Sequence, residues 1–214
     1  MKRNTIVLGI TLFLLATFAW AGWANWEYRK QAAEKRAAME AARAELIPAA
    51  GSGDLSYSVS PLLQKPAPQF KLPDVSGKKV SLDSYRGKAL LINFWATWCA
   101  PCKIETPWLV ELRNQYAPQG FEIIGISSEA DDLKDDDKEG WAHDRAAIQE
   151  FVQKEHIDYP ILMNGDSITK PYGGVDDLPT SFFLDRKGKV VAAQVGLTSK
   201  DDIESKIKKA LASN

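Results

Sequence analysis

The chain has 214 residues, 27 Lys and Arg against 28 Asp and Glu, a formal net charge of −1 and 45% hydrophobic residues. That apolar content excludes a collagenous, mucin-like or wholly disordered chain, and the balanced charge offers no basic field to attract nucleic acid. The two cysteines, Cys99 and Cys102, are too few for a disulfide framework or a four-cysteine zinc site. A bridge between them closes too small a loop to staple a fold, so they point to chemistry.

In chain order, residues 1–24 carry charge only at Lys2 and Arg3, and Ile6–Ala24 is mostly Ile, Leu, Val, Phe, Ala and Trp. About 20 such residues span a hydrocarbon core of about 30 Å. The basic residues in front put the amino terminus in the cytoplasm and send the remainder across a bacterial inner membrane, as a single-pass anchor. Ala19-Trp20-Ala21 also fits the cleavage site of a signal sequence. The length of the run and the belt of Trp20, Trp23, Trp26 and Tyr28 favour a retained anchor. No cysteine follows the run, as a lipoprotein would need. Residues 25–47, rich in Ala, Glu, Lys and Arg, predict a solvated spacer helix stopped by Pro48. Residues 48–60, with Gly51-Ser52-Gly53, read as a flexible linker, and 61–214 as one globular domain.

Within that domain Ala89–Trp95 predicts a strand buried on both faces, Pro101–Tyr116 a helix, and Phe121–Ser127 a second buried strand. Ile148, Phe151 and Val152 fall on one face of a helix over Asp144–His156. Tyr159–Met163 fits a short strand, and Ser181–Asp185 with Val190–Val195 a hairpin turning at Gly188. A last helix opens at Ser199, a good N-cap. This order of elements predicts an α/β domain, a mixed sheet covered on both faces.

A buried strand therefore runs straight into Trp98-Cys99-Ala100-Pro101-Cys102, where a helix begins. Free N–H groups and the helix dipole stabilise a thiolate on the first cysteine, and the thiolate is the nucleophile of disulfide exchange. Two intervening residues let the second sulfur resolve a mixed disulfide. Pro101 loses nothing at a helix start, where its missing N–H has no partner. The alternatives are weaker. Neither His143 nor His156 completes a zinc spacing, and haem attachment needs His where Lys103 stands.

Phe94-Trp95-Ala96-Thr97-Trp98-Cys99-Ala100-Pro101-Cys102, with Leu178-Pro179-Thr180 further on, resembles the thioredoxin superfamily, and within it the membrane-anchored TlpA and ResA-like thiol–disulfide oxidoreductases. The resemblance covers residues 61–214 and implies a thioredoxin-like mixed β-sheet flanked by helices. It implies that Pro179 is a cis-proline facing the disulfide and that the adjoining backbone pairs with a bound peptide. Trp98, Ala100, Pro101, Leu178, Pro179 and Thr180 are then the substrate-binding residues, although Trp98 could simply pack and Pro179 could be an ordinary turn proline. Pro107 is the proline that kinks the active-site helix. Cytosolic thioredoxins carry a buried acid where this chain has Asn93. A neutral amide cannot take a proton from Cys102, so Glu105 becomes the candidate for proton transfer, against the alternative of a solvated helix carboxylate.

Residues 129–144 form an acidic insert of net charge −6. Asp135-x-Asp137-x-Glu139-Gly140 partly copies a calcium loop, but Ala146 stands where the bidentate Glu belongs. A solvated loop is the default, and Trp141 among the charges keeps partner selection open. Two neighbouring activities are excluded by spacing. A peroxiredoxin places Thr where Ala96 stands, and copper-delivery relatives use a spacing one residue longer. Together these readings predict an extracytoplasmic thiol–disulfide oxidoreductase that needs neither metal nor small-molecule cofactor. It reduces protein disulfides, in cytochrome c maturation for example, and draws electrons from a membrane thiol reductant. The alternatives are a thiol oxidase running the same steps backward and a non-enzymatic copper(I)-binding or chaperone module.

Overall fold

The computed structural model describes residues 60–129 and 137–213, together with Trp20, Gly22, Trp23, Trp26, Glu27 and Lys30. Those last six are helical, Trp20, Trp23 and Trp26 are exposed, and Lys30 Nζ lies 5.5 Å from the centroid of the Trp26 ring. No helix among the described residues is long and apolar enough to cross a membrane. Apart from the six residues just named, the expected anchor and spacer lie outside the described residues, as do residues 48–59 of the linker and residues 130–136 of the insert.

The globular unit begins with a small antiparallel hairpin, β1 (Lys71–Pro73) and β2 (Lys79–Ser81). The main sheet holds β3 (Ala89–Trp95), β4 (Phe121–Ser127), β5 (Ile161–Leu162), β6 (Thr180–Leu184) and β7 (Val190–Val195), in the order β5-β4-β3-β6-β7. β3, β4 and β5 run parallel, whereas β6 and β7 are antiparallel additions. Helices α1 (Ala100–Tyr116) and α2 (Lys138–Lys154) make the β3–β4 and β4–β5 crossovers, and α3 (Lys200–Ala212) follows β7. Both crossovers step the same way across the sheet, so their right-handedness puts α1 and α2 on one face. Burial agrees. Leu109 and Leu112 of α1, Ile148 and Phe151 of α2, and Ile203 and Ile207 of α3 share a core with Ala89, Leu91 and Trp95.

The other face is closed differently from a helix-flanked sheet. Leu90, Ile92 and Phe94 meet Phe70, Leu72 and Leu82 from the β1–β2 region, with Ile168 and Tyr172 from the β5–β6 connection. Phe94, Tyr172 and Phe182 stack edge to face there, with ring centroids 5.1–6.1 Å apart. All seven residues of β3 are buried, as its mostly apolar sequence with only Asn93 polar requires.

Several boundaries differ from the sequence expectation for local reasons. α2 starts at Lys138 rather than Asp144, because the Asp137 carboxylate caps it by accepting from Gly140 N at 2.9 Å. β6 ends at Leu184 because Asp185 turns its carboxylate onto Lys187 N and Lys189 N, both at 2.9 Å, and holds the hairpin turn. Only Ile161 and Leu162 pair as a strand, since Met163 N instead donates to Pro73 O. Ser199 caps α3 as expected, accepting from Asp202 N at 3.1 Å. Trp141 is not an exposed aromatic among charges; it is half-buried and packs on the core under α2.

Candidate active site

β3 delivers the chain to Trp95, and a tight turn with Cys99 N donating to Ala96 O reverses it into α1. Cys99 is the N-cap of that helix, and its Sγ accepts from Cys102 N at 3.2 Å. The two sulfurs are bonded, 2.03 Å apart, with Cα atoms 5.3 Å apart. Both cysteines are buried, whereas Trp98 immediately before them is 63% exposed. Pro101 occupies the first helical turn, and Pro107 sits inside a helix that continues to Tyr116. The Thr106 hydroxyl donates to Cys102 O at 2.8 Å.

β6 brings up the second part of the site. Thr180 lies opposite Phe94 in the β3–β6 register, so the cis Leu178–Pro179 peptide sits at the sheet end where β3 enters the cysteine turn. Leu178 is half-buried and packs on the core cluster that contains both cysteines. Thr180 is buried, its hydroxyl donating to Asp177 O at 2.6 Å, and Pro179 O accepts from Gly196 N at 2.7 Å. The predicted substrate residues thus differ in access: Trp98 and Ala100 are exposed, Pro101 and Leu178 are half-buried, and Pro179 and Thr180 are buried.

One turn beyond Cys102, Glu105 is not a solvated helix carboxylate. It is 1% exposed, and burial pushes its pKa up from 4.5 to about 7, against the smaller opposing effects of an Asn93 hydrogen bond and the Lys206 charge. Asn93 Nδ2 donates to Glu105 Oε2 at 3.3 Å and to Ser181 Oγ at 3.1 Å. Among the described residues nothing hydrogen-bonds Glu105 Oε1. A carboxyl in that environment can exchange a proton near neutral pH.

Sequence reasoning missed a second carboxylate. Glu129, counted there as part of the acidic insert, accepts from Thr97 N at 2.7 Å and from Thr97 Oγ1 at 2.8 Å. Ser127 Oγ adds a third bond at 3.1 Å. The available signal was position: Glu129 follows the carboxyl end of a buried parallel strand, where α/β folds collect functional groups.

The profile of the AhpC/TSA family matches residues 63–193. The chain belongs to the AhpC/TSA family. Among relatives within this thioredoxin-like family, the thiol-disulfide oxidoreductase ResA of Bacillus thuringiensis subsp. konkukian is 36% identical over 146 residues, 68% of this chain and 76% of that protein. ResA of Bacillus subtilis is 30% identical over 130 residues, covering 61% and 65%. A solved thiol:disulfide interchange protein of the thioredoxin family from Chlorobium tepidum superposes with a TM-score of 0.58 at 33% identity, over 69% of this chain and 96% of that one. With this fold and the Cys99–Cys102 pair, the AhpC/TSA member described here is a thiol–disulfide oxidoreductase.

Proposed function

We propose that the protein works outside the cytoplasm, held at the membrane by residues 1–24, as a reductase of protein disulfides such as those handled in cytochrome c maturation. The observation that carries the chemistry is Cys99 at the N-cap of α1, its sulfur facing the Cys102 N–H. That placement favours a thiolate once the pair is reduced. Cys99 thiolate attacks a disulfide of the partner protein, forming a mixed disulfide and expelling one partner thiolate. Cys102 then loses its proton to Glu105 and attacks the Cys99 sulfur, releasing the second partner sulfur. The partner gains two electrons, its thiolates take up protons, and Cys99–Cys102 is left oxidised, the state seen here. A membrane thiol reductant restores the dithiol.

Trp98, Ala100, Pro101 and Leu178, none of them buried, offer the contact surface for the partner. The reducing direction is supported by Glu105, since a carboxylate one turn from the pair disfavours thiolates and so destabilises the reduced form. Equilibration with graded dithiol buffers tests the direction. A potential near about −270 mV supports a reductase, whereas one near about −120 mV makes the protein a disulfide donor. Copper(I) bound by the reduced pair, without protein-disulfide reduction, would favour the carrier reading.

A further inference from the structure

Residue 129 grips both residues that separate Ala96 from Cys99. Its carboxylate takes the Thr97 N–H on Oε1 and the Thr97 hydroxyl on Oε2, at 2.7 and 2.8 Å. Its main-chain oxygen accepts from Trp98 Nε1 at 3.1 Å. The grip is itself anchored, because Ser127 Oγ donates to Oε1 and Ser128 N pairs with Trp95 O at 2.9 Å, extending the β3–β4 contact up to Glu129. Trp98 is thereby exposed and yet tied down. An indole with its N–H held keeps one orientation, which lowers the entropy lost when a partner packs on it.

The three donors to the carboxylate, one main-chain N–H and two hydroxyls, are neutral, and among the described residues no Lys or Arg forms an ion pair with Glu129. The carboxylate of Glu129 is therefore held against Thr97, the residue next but one to Cys99. Besides Cys102, the ionisable groups in the first two turns of α1 are Lys103, which is exposed, and the buried Glu105. We propose that Glu129 is a positioning residue of the redox site: it fixes the Thr97–Trp98 turn that presents Cys99, and its charge biases the cysteine pair toward the disulfide. The second clause rests on Cys99 being the attacking thiol, as proposed above. A carboxylate near that sulfur opposes the thiolate, raises the free energy of the reduced form and makes the dithiol a better reductant.

Glu129→Gln and Glu129→Ala separate the two contributions. Gln keeps an oxygen for Thr97 N and an amide that can meet the Thr97 hydroxyl, but removes the charge. Ala removes both. The readouts are the equilibrium constant with glutathione and the Trp98 indole N–H resonance, assigned with Trp98→Phe. For Glu129→Gln, the equilibrium moves toward the dithiol by about threefold or more, as expected for losing a neighbouring charge, and the indole resonance stays in place. For Glu129→Ala, the equilibrium moves the same way, the indole resonance shifts or broadens, and reduction of a protein disulfide slows. An unchanged equilibrium in Glu129→Gln, or an unchanged indole in a folded Glu129→Ala, overturns the corresponding half of the proposal. Should Glu129→Ala fail to fold, the Gln variant still decides the charge. Failure of the underlying reading shows separately, as a wild-type background in which Cys102→Ser traps no partner on Cys99.

Discussion

The buried Glu105 makes stability depend on pH in a direction opposite to that of an ordinary paired carboxylate. Its pKa rises from 4.5 to about 7 on folding, and the first cause is burial. The folded state therefore holds this proton more tightly than the unfolded chain does. The associated stability is complete below about pH 4.5 and is lost as pH rises through about 7. At about 1.4 kcal/mol per pH unit, the full loss is about 3 kcal/mol by pH 8 to 9. Glu105→Gln removes the titration. Because no described residue hydrogen-bonds Glu105 Oε1, a glutamine amide there loses its hydrogen bonds to water and costs a constant offset of about 1–3 kcal/mol. The decisive quantity is therefore the slope and not the absolute value. Urea unfolding of the oxidised protein at pH 5, 6, 7 and 8.5 should show wild type losing about 2.5 kcal/mol more than the variant over that range. Equal slopes for the two proteins would refute the reasoning, since Glu105 would then titrate alike in both states.

Three further outcomes follow from the geometry. Asn93→Ala removes the donor to Glu105 Oε2, so the carboxyl midpoint, read by carbon-13 NMR, should move further upward. A downward move would show that Asn93 does not stabilise the anion. Gly125→Ala would place a Cβ 2.5 Å from Ile161 Cδ1 and 2.9 Å from Trp95 Nε1, in a fully packed layer. The expected cost is about 1–3 kcal/mol, seen as a melting point lower by about 2 to 10 °C, and an unchanged melting point would contradict the packing described. Trp98→Ala should lower kcat/KM for a protein disulfide about fivefold or more, from lost contact area, while leaving the reaction with a small disulfide reagent near wild type. Equal losses on both substrates would assign Trp98 to the chemistry and not to partner contact.

Much of the fold could be read from the chain because its central elements are extreme. β3 and β4 are seven-residue strands dominated by apolar residues, and burial on both faces leaves them no other role. The capping serine at 199 and the cysteine pair at a strand–helix junction were equally visible. β1 and β2 were not, because three residues are too short for periodicity to register. They close the second face through isolated side chains such as Leu72. Within the site, the cysteines, Pro179 and Glu105 carried local sequence signals. Glu129 did not. It reads as one more charge at the head of an acidic run, and its bonds to Thr97 span 32 positions of sequence, so only the β3–β4 pairing reveals them. Asn93 was legible as a missing acid, but its contact with Glu105 required the helix to be laid over the strand.

The central claim is that Cys99 attacks the partner and Cys102 resolves the intermediate. The most direct measurement is to mix the reduced Cys102→Ser and Cys99→Ser variants, each with one thiol, with an oxidised protein-disulfide substrate, followed by mass spectrometry of the non-reduced adducts. Cys102→Ser should accumulate a stable mixed disulfide on Cys99, and Cys99→Ser should form none. Adducts on Cys102 in the Cys99→Ser protein, at a rate matching Cys102→Ser, would contradict the assignment of the two sulfurs.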